Sequence, residues 1–185
     1  MELSGEKALW LLSPRITALV TTMSKDGKVN AAPYSFVGPL SIMPPMCYVS
    51  VGRGKDTEAF VQETPEFVIN LVSEDFAQKA INCEAKLPPG KSELEKFGLH
   101  EARSLNVTVP SVKEAHATVE CKLSEVIEPR DSDHVLLVGR VVGGRCEFER
   151  EGGKPDLDRL NIVMHVGSSH FRKVGERIDF SREHR

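Results

Sequence analysis

The segment from Ser50 to Thr57 combines features that bind phosphate groups. A strand-like run, Met46–Val51, leads into two glycines, and a predicted helix follows them. Glycine allows the backbone to approach a ligand closely, and the first N–H groups of a helix have no partner inside the helix. Those N–H groups and the helix dipole favour an anion. Because Arg53 and Lys55 add positive charge and Thr57 adds a hydroxyl donor, the pattern indicates a phosphate site.

The same segment also fits a solvent-exposed turn in front of a capped helix. It lacks the third glycine and the following βαβ unit of a dinucleotide-binding loop, and it is not a Walker A loop. In either interpretation we expect Asp56 to cap the helix or to pair with one of the neighbouring cations. The residues alone leave both interpretations open.

A second segment, Asn30–Phe36 (NAAPYSF), has the composition of a wall for a planar ligand. Pro33 cannot donate a hydrogen bond to a sheet, so we expect this strand at an edge or a bulge. Free backbone groups at such an edge can bind a planar ligand such as a flavin, and Tyr34 or Phe36 can pack against its ring. The alternative is an ordinary strand whose aromatic side chains belong to the core.

Most of the chain around these segments has the pattern of β-strands, with helices inserted between them. The predicted strands are Ile16–Met23, Val29–Val37, Met46–Val51, Glu66–Ser73, Ala117–Ile127, His134–Phe148, Val163–Val166 and His170–Val174. The predicted helices are Glu6–Leu12, Lys55–Glu63, Glu74–Ala85 and Ser92–Phe97.

Details of these elements carry further expectations. The low polarity of Met46–Val51 predicts burial on both faces, and Gly143-Gly144 predicts a bend or bulge in a long strand. A loop is predicted at Pro88-Pro89-Gly90. Because too few strands alternate with long helices for a doubly wound sheet, we expect a mainly β fold, a barrel or sandwich with helical insertions.

Length and composition predict a single domain over residues 1–185. The net charge of −3 gives no basic field for nucleic acid or an anionic membrane. The charge-free stretch Val29–Gly52 contains four prolines, so we do not expect a membrane helix there. Scattered cysteines without a C-x-x-C pair indicate reduced, mostly buried thiols in a cytoplasmic protein. These cysteines are Cys47, Cys83, Cys121 and Cys146.

Histidines and cysteines do not form a metal-binding pattern, and we predict no metal site. His134 follows Asp133 at the start of a predicted strand, where it is either structural or directed at a nicotinamide. Cys83, at a predicted helix end, is either an inert buried thiol or a thiol near a ligand.

An ordered series of short motifs along the chain is similar to the flavin reductase-like, FMN-binding split-barrel family, which includes flavoredoxin-like proteins. The resemblance covers about residues 10–175. Its motifs are Arg15–Thr22, Asp26-Gly27, Asn30–Phe36, Pro44-Pro45, Val49–Gly52, Lys55–Thr57, Phe67–Asn70, Pro88–Gly90, Val119–Cys121, Asp133-His134 and Gly139–Val142.

The resemblance implies a six-stranded split β-barrel of Greek-key type and a homodimer that binds FMN at the subunit interface. It also implies three groups of FMN contacts. The isoalloxazine ring is expected against Ala32, Pro33, Tyr34, Ser35 and Phe36, the phosphate among Ser50, Val51, Gly52, Arg53, Lys55 and Thr57, and a small polar segment near the flavin at Asn82 and Cys83.

The function implied by the resemblance is an FMN-binding oxidoreductase of the flavin reductase type, with NAD(P)H as the hydride donor. The flavin itself performs this chemistry, so no catalytic side chain is assigned. One alternative is an FMN-binding electron carrier without NAD(P)H activity, and another is a non-enzymatic flavin-binding module. His170 occupies a position that is often aromatic in the family, and its role stays open.

Overall fold

A computed structural model describes residues 1–88 and 91–180. The protein is mainly β, with 42% strand and 15% helix. The helices are α1 (Gly5–Leu9), α2 (Asp56–Glu63), α3 (Ala77–Asn82) and α4 (Glu93–Lys96), with a 3-10 turn at Trp10–Leu12. The strands are β1 (Arg15–Ile16), β2 (Ala18–Met23), β3 (Val29–Tyr34), β4 (Val37–Ser41), β5 (Met46–Gly52), β6 (Glu66–Leu71), β7 (Glu101–Ala102), β8 (Ser111–Val112), β9 (Ala117–Ile127), β10 (His134–Cys146), β11 (Glu149–Arg150), β12 (Lys154–Pro155), β13 (Val163–Gly167) and β14 (His170–Lys173).

The principal sheet contains seven strands in the order β3-β2-β6-β9-β10-β5-β4, and every neighbouring pair is antiparallel. This differs from the six strands expected from the family resemblance. The sheet curls into a half-barrel, which brings β3 close to β5 although they are far apart in the strand order. A smaller sheet, in the order β1-β13-β14, adds the N-terminal strand to a hairpin near the C-terminus.

The main core lies inside the curled sheet, where β2, β5, β6, β9 and β10 converge with one side chain of α2. Successive side chains of a strand point to opposite faces. Val20 of β2 therefore enters this core, whereas Leu19 packs on the other side with α3 and α4. On β5, Val49 and Val51 are fully buried but Ser50 is only half-buried, so the expectation that β5 is buried on both faces is wrong for one face.

The predicted strand Val29–Val37 is two strands, because the chain crosses between the two edges of the curled sheet at this point. Among the strands of the described residues, β3 pairs only with β2 and β4 pairs only with β5. Ser35 and Phe36 lie between them, and the carbonyl of Phe36 accepts a hydrogen bond of 2.8 Å from the N–H of Ser50. The edge position predicted for Pro33 is confirmed. The segment with the composition of a ligand wall therefore lies at the seam of the half-barrel.

The helices are shorter than predicted. The pattern over Glu74–Ala85 yields only α3, and Ser92 is the N-cap of α4 rather than part of it. The N-terminal helix ends at Leu9, and Leu9, Trp10 and Leu12 are half-exposed or more, so the predicted apolar side is not buried in the core. The ring of Trp10 lies against Gly167. None of the helices in the described ranges is sufficiently long and apolar to cross a bilayer.

Two predicted irregular segments have different outcomes. The bulge expected at Gly143-Gly144 is confirmed by a register shift between Val141 and Gly143 in the pairing of β10 with β9. In the predicted loop Pro88-Pro89-Gly90, the last two residues lie outside the described residues.

Candidate functional site

An open cavity of about 1130 Å³ lies at the seam, between β3, the end of β5, the start of α2 and the segment that joins α3 to α4. The structure brings most of the predicted site residues around this one cavity. Those that line it are Ala32, Pro33, Tyr34, Ser35, Phe36, Ser50, Gly52, Arg53, Lys55, Thr57 and Cys83.

Two predicted site residues are not part of the cavity lining. The side chain of Val51 is fully buried in the core on the opposite face of β5 from Ser50 and Gly52. The side chain of Asn82 accepts a hydrogen bond of 2.9 Å from Gln78 on the exposed side of α3. The expected contacts of Val51 and Asn82 with FMN, which their backbone atoms would make, stay a prediction.

The glycine turn at the end of β5 leads directly into α2. Gly54 has a φ of +71°, a conformation that residues with a Cβ rarely adopt, and its N–H donates 2.7 Å to a carboxylate oxygen of Glu58. Lys55, not Asp56, occupies the N-cap position, so the predicted capping by Asp56 is wrong. Within residues 1–88 and 91–180, the ammonium group of Lys55 forms no hydrogen bond or ion pair. Lys55 therefore places a free positive charge beside the first N–H groups of α2.

Arg53 lines the cavity, but its guanidinium group is engaged by the turn between β9 and β10. Its Nη1 lies 2.7 Å from Oε2 of Glu128, and its Nε donates 2.8 Å to the carbonyl of Ser132. Its Nη2 donates 3.3 Å to the carbonyl of Pro129. Most of the positive charge of Arg53 is thus compensated by a carboxylate in this conformation.

A buried polar network lies beneath the glycine turn. The hydroxyl oxygen of Thr57 accepts hydrogen bonds of 2.8 Å from the phenol of Tyr34 and 2.9 Å from the amide of Asn30. Thr57 and Asn30 are both buried, and the Asn30 amide also donates 3.2 Å to Thr22. Burial raises the pKa of Tyr34 to about 12, so its phenol stays protonated and donates. The network holds the start of α2 against β3, the strand that carries Asn30 and Tyr34.

The wall at Ser35 and Phe36 contains two residues that sequence reasoning did not assign to the site, Arg15 and His165. β1 pairs with β13 so that Arg15 lies opposite His165, and Nη2 of Arg15 is 3.3 Å from Nδ1 of His165. The same Nδ1 lies 3.0 Å from the hydroxyl of Ser35. The guanidinium carbon of Arg15 is 5.2 Å from the centre of the Phe36 ring, a cation–π distance.

The protonation of His165 follows from its hydrogen bonds. Its Nε2 lies 3.0 Å from the carbonyl of Ser168, which can only accept, so Nε2 carries the proton. Its Nδ1 then accepts from the hydroxyl of Ser35 and from Arg15, and the imidazole is neutral.

Cys83 and Glu93 form part of the opposite wall. Burial, together with the nearby carboxylate of Glu93, raises the pKa of the Cys83 thiol to about 12. The thiol donates to the carbonyl of Lys79 at 3.4 Å. Cys83 therefore has the properties of an inert thiol rather than a nucleophile. Burial also raises the pKa of Glu93 above its ordinary value.

The remaining histidines have different surroundings. His134 lines the cavity, lies 2.7 Å from the carboxylate of Asp133 and has its ring centre 5.9 Å from that of Phe36. His170 is exposed at the start of β14 and is not in the cavity lining. Across the described ranges, no group of three or more His, Cys, Asp or Glu side chains is arranged to hold a metal ion.

The cavity has the chemistry of a site for a flat molecule with an anionic tail. A free ammonium group and a helix start lie at one end, and an aromatic wall with a cation lies at the seam. Ligand cavities usually have volumes of about 300–1,000 Å³, so this cavity has room for a cofactor and part of a second molecule. These residues fit FMN.

Comparison with known proteins agrees with this chemistry. The chain matches the flavin reductase like domain over residues 11–166. The uncharacterized protein YwrF of Bacillus subtilis is 36% identical over an alignment of 196 positions, which spans 98% of this chain and 96% of that protein. Component B of nitrilotriacetate monooxygenase from Bacillus cereus is 31% identical, with a TM-score of 0.87 and coverage of 97% of this chain and 95% of that chain.

A protein with a split barrel domain from Shewanella frigidimarina NCIMB 400 has the same fold. It is 19% identical, with a TM-score of 0.86 and coverage of 97% of this chain and 94% of that chain. The split-barrel fold expected from the sequence motifs is confirmed.

Proposed function

Because the chain belongs to the flavin reductase-like family, we propose that it is an FMN-binding oxidoreductase that takes hydride from NADH or NADPH and passes electrons to an acceptor. The observation that carries the proposal is the cavity itself, in which the free cation of Lys55 and the aromatic wall at Phe36 face one space. In this proposal residues 1–185 act as one domain.

At the phosphate end, the residues provide charge and hydrogen-bond donors. The ammonium of Lys55 pairs with the phosphate, and the N–H groups of the first turn of α2 donate to its oxygens. The N–H groups of the glycine turn contribute less, because that of Gly54 donates to Glu58 and that of Arg53 donates to a carbonyl. The Thr57 hydroxyl accepts two hydrogen bonds and keeps its own proton as a donor. Arg53 contributes less, because Glu128 and two carbonyls compete for its guanidinium.

At the ring end, the residues orient a flat molecule and exclude water. Ala32 and Pro33 leave space beside the edge strand, while Phe36 supplies an apolar surface. When bound, FMN supplies the two-electron chemistry, and the protein determines its position and its electrostatic surroundings. His134, whose ring centre is 5.9 Å from that of Phe36, lines the same cavity, and in this proposal it is directed at the nicotinamide.

A homodimer with the cofactor at its interface is part of the proposal. Large apolar side chains are exposed in the turn between β4 and β5, where Ile42 and Met43 are 90% and 88% exposed. Exposed apolar groups of this size favour contact with another protein surface. The cytoplasmic location expected from the cysteine pattern is also part of the proposal.

The test is spectroscopic. Purified protein is titrated with FMN, and bound flavin is then mixed with NADH or NADPH without oxygen. The proposal expects saturable FMN binding and loss of the flavin absorbance with at least one of the two donors. If FMN does not bind at micromolar concentration, the proposal is wrong.

A second candidate is an FMN-binding electron carrier, which is favoured by the lack of a recognisable nicotinamide motif in the sequence. Reduction of bound FMN by dithionite but not by NADH or NADPH supports the carrier. Steady oxidation of NADH or NADPH excludes it. Component B of nitrilotriacetate monooxygenase, which is 31% identical to this chain, is one part of an enzyme with more than one component. This similarity supports a partner protein, or the flavin of that partner, as the acceptor of the electrons.

A further inference from the structure

Arg15 presents an uncompensated positive charge to the cavity. All its hydrogen-bond partners are neutral acceptors: the carbonyl of Leu12 at 3.3 Å, the hydroxyls of Ser13 at 2.8 Å and Ser35 at 3.5 Å, and Nδ1 of His165 at 3.3 Å. In the part of the chain that the structure describes, no carboxylate forms an ion pair with Arg15. Four acceptors hold the guanidinium in place without reducing its charge.

Among the four acceptors, His165 binds the guanidinium of Arg15 without adding a negative charge beside it. Its proton is on Nε2, which donates to the carbonyl of Ser168, so its Nδ1 lone pair faces Arg15. A carboxylate at the same position would hold the guanidinium equally well but would neutralise it. Position 165 therefore determines whether the charge of Arg15 acts on the cavity.

The position of Arg15 assigns this charge to the ring wall rather than to the phosphate end. Its guanidinium lies over the Phe36 ring and contacts Ser35, and both residues lie at the seam. The phosphate end has its own cation, Lys55, at the start of α2. The cavity thus has an uncompensated cation at the seam as well as one at the start of α2, and Lys28, Lys86 and Lys91 also line it.

We propose that Arg15 selectively stabilises the two-electron-reduced form of the bound flavin, and that His165 positions Arg15 for this role. This inference rests on the proposed function. Hydride transfer breaks a C–H bond of the reduced nicotinamide and forms an N–H bond on the flavin. It delivers two electrons and one proton, leaving an oxidised nicotinamide and a flavin ring with one additional negative charge. A cation at the ring wall therefore stabilises the reduced, negatively charged ring more than it stabilises the neutral oxidised ring.

The expected effect is a change in the ratio of two dissociation constants. An opposite charge within ~4–6 Å shifts an equilibrium between charge states by about 10-fold or more. Arg15→Gln is therefore expected to bind oxidised FMN within about 3-fold of the wild type and to lose about 10-fold in its preference for reduced FMN. Arg15→Lys keeps the charge and should retain most of the preference.

The experiment combines two measurements that do not depend on turnover. Flavin fluorescence gives the dissociation constant of oxidised FMN, and a spectroelectrochemical titration of the bound flavin gives its midpoint potential. The potential difference between bound and free flavin gives the ratio of the dissociation constants of oxidised and reduced flavin, and with the first constant it gives the affinity for the reduced form. Riboflavin, which has no phosphate, is measured in parallel, and Arg140→Gln on β10 controls for the loss of one exposed positive charge.

Variants at position 165 test the same inference with Arg15 intact. His165→Glu places a carboxylate beside the guanidinium and should lower the preference for reduced flavin as much as Arg15→Gln does. His165→Gln, a neutral acceptor, should leave the preference close to that of the wild type. This pair carries the test if Arg15→Gln does not fold.

Four results distinguish the possible failures. Equal weakening of oxidised and reduced FMN by Arg15→Gln overturns the inference, because it indicates a structural role. Weakening with FMN but not with riboflavin also overturns it, because Arg15 then binds the phosphate. If the wild type binds neither flavin, the proposed function fails, whereas normal FMN binding with an unchanged potential in Arg15→Gln and His165→Glu rejects only the role of Arg15.

Discussion

The two arginines that line the cavity differ in what surrounds them rather than in their chemistry. Arg53 meets a carboxylate, Glu128, at 2.7 Å and two backbone carbonyls of the turn between β9 and β10. Arg15 meets neutral acceptors, including His165. One arginine connects two parts of the fold, and the other directs net charge at the cavity.

This difference shows that positive charge in a binding motif is not the same as charge available to a ligand. Arg53 lies in the glycine-rich motif that indicates a phosphate site, yet its charge is compensated by a residue 75 positions later. Lys55, two residues along, has no partner among the described residues. The pairing of β10 with β5 places Glu128 near the end of β5, and for this reason the charge of Arg53 is compensated.

The largest expected effect tests the phosphate end of the comparison. Lys55→Ala should weaken FMN binding by about 1.5–3 kcal/mol, the range for a charge-assisted hydrogen bond. That is about 10- to 150-fold in the dissociation constant, measured by fluorescence titration. Riboflavin binding should barely change, because it has no phosphate. Lys113→Ala, at an exposed position outside the cavity, is the control. A larger loss in Arg53→Ala than in Lys55→Ala contradicts the comparison.

A second prediction concerns the buried hydrogen-bond network beneath the glycine turn rather than the charges at the turn. Thr57→Val removes the acceptor shared by Tyr34 and Asn30, so it should lower the free energy of unfolding by about 1–3 kcal/mol. The measurement is urea denaturation. Thr17→Val is a matched control, because the buried hydroxyl of Thr17 has no hydrogen-bond partner among the described residues and its loss should be neutral or stabilising. If both variants lose the same free energy of unfolding, the network does not contribute to the stability of the fold.

A third prediction concerns the pH dependence of the free energy of unfolding, which we attribute to His116, a residue outside the cavity lining. Its effect on stability must be known before pH effects on ligand binding can be interpreted. Hydrogen bonds to Asp75 and Glu147, at 2.8 and 2.6 Å, raise the pKa of His116 above 6.5. The folded state thus binds the proton more tightly than the unfolded state. This stabilisation is complete below about pH 6.5 and is lost as the pH rises through the raised pKa.

The corresponding measurement is the free energy of unfolding at pH 6 and at pH 8.5. The wild type should be more stable at pH 6 by up to about 1 kcal/mol, the range for partly exposed ion pairs. His116→Gln should reduce this difference. Arg145, which also contacts Glu147 at 2.9 Å, keeps its charge at both values. A wild type that is equally stable at pH 6 and pH 8.5, or a difference that persists in His116→Gln, shows that this histidine is not responsible.

The smallest expected effect tests the compensation of Arg53 directly. Glu128→Gln removes the competing charge and should tighten FMN binding by about 0.2–1 kcal/mol, which is less than about 5-fold. Glu125→Gln, an exposed carboxylate on β9 without an ion pair in the described ranges, is the control. If Glu128→Gln weakens binding, the carboxylate holds Arg53 in a useful position rather than competing for it.

The elements of the fold were largely predictable because hydrophobic alternation and turn residues are local signals. β9 has the bounds expected from its pattern, and the turn into α2 lies where the glycines indicate it. The position of the Val51 side chain away from the cavity was also predictable. A period of two along β5 places Ser50 and Gly52 on one face and Val51 on the other, and that signal is present in the sequence.

The ring wall was only half predictable, because its charge comes from a distant pairing. Arg15 and His165 are 150 residues apart and meet only through the pairing of β1 with β13. Nothing in the local pattern around either residue specifies that partner. The length of the helices was also overestimated, since apolar periodicity continues past the residues that make helical hydrogen bonds in α3.

The position of β3 and β4 at opposite ends of the principal sheet has one more consequence. Each of these edge strands contains a proline, Pro33 in β3 and Pro39 in β4. A strand edge with a missing backbone donor is a poor template for addition of a strand from another chain. Pro33, which lines the cavity at the seam, and Pro39 therefore also protect the protein against edge-to-edge aggregation.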